Sequence, residues 1–139
     1  MSILPKWKSF YFSKWGVLSK GNPEDIICAE ICAELRQLIL HDKFKGQFFH
    51  VENETGGKQS AAYAMIKKVT GKMPGAPDYI FAMNNLCIFI EIKTKDSKQN
   101  TAQKHFQSWA EYANNSYFIC RSWEDVKKIL VVHNFIKTE

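Results

Sequence analysis

Hydrophobic and polar positions along this chain follow two periods, and the switches between them mark the elements. Ile27, Cys28, Ile31, Cys32, Leu35, Leu38 and Ile39 recur at helical spacing and gather on one side of a helix. Asn22-Pro23-Glu24-Asp25 gives that helix an N-cap, a proline at its first position and acids in its first turn, and it is predicted to run to about Leu40. Glu24 falls on the inward apolar stripe, while Glu30 and Glu34 lie toward its flank. Gln47 to Val51 reads as a strand, Thr55 to Lys58 as a loop and Ser60 to Val69 as a second, shorter helix. Two glycines and two prolines between Gly71 and Pro77 break any regular element. Asp78–Met83 and Leu86–Lys93 are strands of one hairpin, turning at Asn84-Asn85. Thr101 is expected to cap a helix to about Ala113, Tyr117–Arg121 is a fourth strand, and Ser122 with Asp125 opens a last helix through about Val132. The order α-β-α-β-β-α-β-α is that of an α/β fold, a small mixed sheet flanked by helices. Residues 1–22 form an arm ahead of a single domain over 23–139.

The pattern breaks in one place that matters. Leu86-Cys87-Ile88-Phe89-Ile90 runs straight into Glu91-Ile92-Lys93. Side chains alternate along a strand, so Glu91 and Lys93 share one face and Ile88, Ile90 and Ile92 the other. Charges that end a core-like strand are costly unless something binds them, and a divalent ion together with a phosphate would do so. The hairpin can bring the carboxylates of Asp78 and Glu91 within reach of one ion, with the backbone carbonyl of Ile92 as a further oxygen. Hard oxygens of this kind suit Mg²⁺ or Mn²⁺. Lys93 stands on the same face as a point charge for a water or a phosphate.

Charge and cysteines change the picture less. The net charge of +5 over 139 residues is modestly basic, and the four lysines up to Pro23 (Lys6, Lys8, Lys14, Lys20) face no acid. Trp7, Phe10, Tyr11, Phe12 and Trp15 lie among them, which suits either a nucleic-acid contact or a segment packed on the domain or on a partner. Cys28 and Cys32 have a spacing that can bind metal, but Cys87 and Cys120 lack neighbouring ligands, so all four read as reduced, mostly buried thiols. Gly56-Gly57-Lys58-Gln59-Ser60 is not a Walker motif, though a loop touching DNA is compatible with it. Nothing approaches the length of an apolar membrane span, and the aromatic, lysine-rich start is unlike a signal peptide.

Asp78, Glu91 and Lys93 in this context resemble the PD-(D/E)XK nuclease superfamily, and within it the virus-type replication-repair nuclease (VRR-NUC) domain. The resemblance covers about Glu24 to Leu130. Glu24 with Ile27, Ile31 and Leu35 is similar to the first helix, which carries an acidic ligand; Cys28 departs from the polar residue common there. His50 to Asn53 resembles the strand ending in His-x-x-Asn, and Gly71 to Asp78 the Gly-x-x-x-Gly-x-Pro-Asp loop. Gln103, ten residues beyond Lys93, resembles the helix-borne glutamine, and Arg121 to Asp125 the closing turn.

The resemblance implies a restriction-endonuclease-like core and a Mg²⁺- or Mn²⁺-dependent nuclease acting on DNA, structure-selective in replication, repair or recombination. Glu24 (with Glu30 in reserve), Asp78, Glu91 and the Ile92 carbonyl would hold the metal. Lys93 would activate water and Gln103 orient it, and His50, Asn53, Lys58 and Lys72 would contact nucleic acid. A homodimer would let one small domain cut two strands. The expected location is the cytoplasm, that of the host if a phage encodes the chain, with no membrane partner. The competing reading is a non-catalytic nucleic-acid-binding module that keeps the fold.

Overall fold

A computed structural model describes residues 5–16, 18–52 and 60–138. Among these, five helices flank one four-stranded sheet: α1 (Lys6–Phe12), α2 (Pro23–Leu40), β1 (Gln47–His50), α3 (Ala61–Val69), β2 (Tyr79–Met83), β3 (Leu86–Ile92), α4 (Thr101–Tyr112), β4 (Ser116–Cys120) and α5 (Trp123–Val132). The sheet order is β1-β2-β3-β4, antiparallel across the first three strands and parallel between β3 and β4. A mixed α/β fold was expected, and the order from α2 onward is the one the periodicity predicts. The arm, for which no element is predicted above, contributes the additional helix α1. Among the described residues, no helix is long and apolar enough to cross a membrane.

Strand alternation sorts the two faces of the sheet. Tyr79, Phe81, Ile88, Ile90 and Ile92 are buried in one cluster with Ile31 and Leu35 of α2 and Val126 and Leu130 of α5. Truncating a fully buried residue of this set, such as Ile90, would cost about 2–5 kcal/mol. The other face carries Phe89, whose ring meets Phe106 of α4 at 5.6 Å. Glu91 shares that face by the same alternation, and so lies under α4.

Local chemistry fixes the ends of these elements. Asn22 caps α2 by accepting from the Glu24 N–H at 2.9 Å, with Pro23 at the first position. The β2–β3 turn needs only Asn84 and Asn85, and Asn84 takes φ 50°, a left-handed value that asparagine tolerates. One cap differs from expectation. Asn100, not Thr101, caps α4, because its side chain accepts from the Gln103 N–H while the Gln103 side chain accepts from the Asn100 N–H. That reciprocal box satisfies two otherwise orphaned donors, which a hydroxyl one residue later does not.

Candidate metal and phosphodiester site

β2 and β3 set the two carboxylates face to face. Tyr79 pairs with Ile90, so one further step along the antiparallel register puts Asp78 opposite Glu91. Asp78 is pinned twice: its carbonyl accepts from the Val51 N–H at 2.7 Å, and its Oδ2 accepts from the Ile92 N–H at 2.7 Å. Glu91 is only 3% exposed, and its Oε1 accepts from the side-chain amide of Gln103 at 2.7 Å. Gln103 can make that bond because its own carbonyl is committed to the helix cap. Lys93 is also buried, its N–H held by the Cys120 carbonyl at 2.9 Å and its Nζ 4.0 Å from Glu91 Oε1.

This leaves one atom unaccounted for. Glu91 Oε2 is buried and has no hydrogen-bond partner. An unpartnered buried carboxylate oxygen is expensive, and the protein answers by favouring the protonated form. Burial raises the Glu91 pKa well above the usual carboxylate range, and the Asp78 and Glu24 charges raise it further, against the pull of Lys93. The pair repels itself at neutral pH unless a proton or a cation lies between them. The donor set therefore fits a hard divalent ion, which Asp78, Glu91 and the Ile92 carbonyl would hold with waters completing its shell. Among the described residues, no group of three or more His, Cys, Asp or Glu side chains is placed to hold a metal ion, so Glu24 does not join Asp78 and Glu91 in one set.

The structure brings Asp78, Glu91, Lys93 and Gln103 together, while the remaining candidates stand farther out. Glu24 is half-buried in the first turn of α2, on the opposite face of the sheet from α4, and reaches Glu91 through its charge. Glu30 is exposed farther along α2. His50 is exposed at the end of β1, its ring 4.9 Å from that of Tyr79. Lys72 is exposed and lines a cavity of about 410 Å³ with Pro77, Tyr63, Lys67 and Phe106, next to Asp78 in sequence through Pro77. Asn53 and Lys58 lie outside the described residues.

Three residues outside the candidate site set also shape the site. Tyr117 is buried on β4, and burial first, then the Glu91 charge, pushes its phenol up to about 12. Arg121 Nη1 donates to the carbonyls of Thr94, Lys95 and Ser97 (3.3 Å to Lys95, 3.0 Å to Ser97), clamping the turn after Lys93. Tyr79 donates to the Cys28 carbonyl at 3.3 Å and meets Cys32 Sγ at 3.4 Å, tying β2 to α2. Cys28 and Cys32 thus serve packing: burial raises both thiols, Cys28 to about 12.

No family model matches the chain, and no curated protein matches it in sequence. Solved structures do. A VRR_NUC domain protein superposes with a TM-score of 0.57 at 23% identity, over 85% of this chain and 91% of that one. A second structure, a VRR_NUC domain, gives 0.51 at 16% identity over 81% and 98%. The chain has a VRR_NUC-like fold, the one the motifs resemble.

Proposed function

We propose that this protein is a Mg²⁺- or Mn²⁺-dependent nuclease that hydrolyses phosphodiester bonds in DNA. The observation that carries the reading is half-buried Asp78 facing buried Glu91, with Glu91 Oε2 unpartnered and the Lys93 ammonium alongside. A module that only binds nucleic acid has no use for two facing carboxylates where phosphates must approach. The VRR_NUC-like fold supports the same reading.

Asp78, Glu91 and the Ile92 carbonyl hold the ion, and Glu24 adds negative charge from α2. When bound, a divalent ion acts as a Lewis acid and lowers the pKa of a coordinated water. Lys93 offsets charge developing on the phosphate, and Gln103 fixes the rotamer of Glu91. His50 and Lys72, together with Asn53 and Lys58, contact the DNA backbone. A second copy of the chain pairs through α3, whose apolar side chains find no place in the core, and the pair cuts both strands.

Nicking of supercoiled and branched DNA with Mg²⁺ or Mn²⁺, and again with EDTA, is the direct test. Asp78→Ala and Lys93→Ala should each lose about 100-fold or more in rate. Variants that cut as fast as the parent would refute the assignment.

A further inference from the structure

The basic aromatic segment ahead of α2 is not used by this site, and it is half packed and half open. Phe12 turns inward, its ring 6.4 Å from Phe48 and its carbonyl accepting from Arg36 Nε at 2.7 Å. Lys8 is buried and paired with Asp42, just past the end of α2. These contacts anchor α1 and leave its other side in water. Phe10 is 80% and Tyr11 62% exposed, their rings edge to face at 4.8 Å, and Trp7 and Trp15 are exposed as well. So many large rings in so short a stretch mark a binding surface.

Charge decides what binds there. Lys6, Lys14 and Lys20 are exposed, and no acid occurs between Pro5 and Pro23. Asp42, the acid that α1 touches, is held ionised and offset by Lys8. A second copy of the chain would bring the same lysines onto the patch and repel. A single-stranded nucleic acid has the complementary chemistry, because its phosphates take amines and its unpaired bases stack on exposed rings. Duplex bases are already stacked and offer the rings nothing.

We infer that α1, with Trp15 and the exposed lysines, is a platform for single-stranded nucleic acid. Its anchor, Arg36, lies twelve residues along α2 from Glu24, about 18 Å at 1.5 Å per residue. The platform does not depend on the reading of the site given above.

Fluorescence anisotropy in EDTA, where no cleavage occurs, tests it with labelled oligothymidylates of about 16 and about 4 nucleotides and a duplex of the longer length. The full chain should bind the longer single strand more tightly than the duplex or the shorter strand. Phe10→Ser with Tyr11→Ser should weaken the longer strand by about tenfold or more. Lys6→Gln with Lys14→Gln and Lys20→Gln should lower the slope of log affinity against log salt by about 2. If the ring variant does not fold, the salt slope of the lysine variant decides. Unchanged affinity and slope in the variants overturn the platform, as does equal affinity for duplex. A parent dimer that the ring variant converts to monomer, with unchanged affinity, assigns the patch to protein contact instead. A chain that binds as expected but never cuts with Mn²⁺ sinks the nuclease reading and leaves the platform standing.

Discussion

Glu91 is the residue on which the site turns, and its titration makes a prediction about the metal-free protein. Its pKa rises from 4.5 to about 9 on folding, chiefly through burial and then through Asp78. The folded state therefore binds more protons than the unfolded chain between those values. Stability from this group is complete below the lower value and is lost as pH rises through the upper one. Thermal melts in EDTA should show the melting temperature falling from pH 5 toward pH 9, and Glu91→Gln should flatten that fall. Mn²⁺ should raise the melting temperature most at the alkaline end, since the ion competes with the proton. A flat pH profile in EDTA would contradict the assignment. Gln103 acts through Glu91, so Gln103→Ala should reduce cleavage by about 10–100-fold and weaken Mn²⁺ binding while leaving the fold intact. Asp78, Glu91 and Lys93 were legible in the chain because charges interrupt an apolar strand. The parts that Tyr117 and Arg121 play at the site were not: the chain marks them only as a closing strand and turn, and only the parallel pairing of β3 with β4 brings them to the site.

Among the elements, the loop before β2 and the start of α4 depend on each other. The glycines and prolines of 71–77 identify a loop, but not what the loop must clear. Gly75 has φ +81°, and a Cβ there would lie 2.4 Å from the Ala102 carbonyl group and 2.6 Å from the Gln103 nitrogen. The neighbours are backbone and cannot swing aside. Gly75→Ala must push α4 away from the sheet, moving Gln103 off Glu91. The expected result is a loss of about 1–3 kcal/mol from the strained φ alone, together with slower cleavage of the kind Gln103→Ala shows. Denaturant titration and nicking rates check the two separately, and a fully active, stable alanine variant would show that the contact is not needed. The caps follow the same logic of legibility. Asn22-Pro23 announces α2 because its signal is contiguous, whereas Asn100 and Thr101 are both good capping residues and only the Gln103 side chain chooses between them. α1 carries no such announcement: its first turn has no acid and Pro5 gives no side-chain cap, so its helicity rests on packing against α2.

At the scale of the whole molecule, the sheet covers its helices unequally. α2 and α5 bury Ile31, Leu35, Val126 and Leu130, while α3 has no buried residue. Yet α3 is amphipathic, with Ala62, Met65, Ile66 and Val69 on one side by helical spacing, and Val69 is 72% exposed. A nine-residue helix of this kind is marginal alone in water, and on the pairing proposed above a second copy covers its stripe. An isologous pairing of two such stripes covers both and joins two sites in one particle. Val69→Asp puts a charge on the stripe, at the C-terminal end of α3, without touching the core. Sedimentation should show a parent dimer and a monomeric variant with an unchanged melting temperature at low concentration. The functional consequence separates two ways of cutting duplex DNA. If both strands are cut by paired sites, the monomeric variant should nick plasmid at near-parent rate and lose most direct linearisation. If it linearises as well as the parent, each copy works alone and the α3 stripe serves another contact.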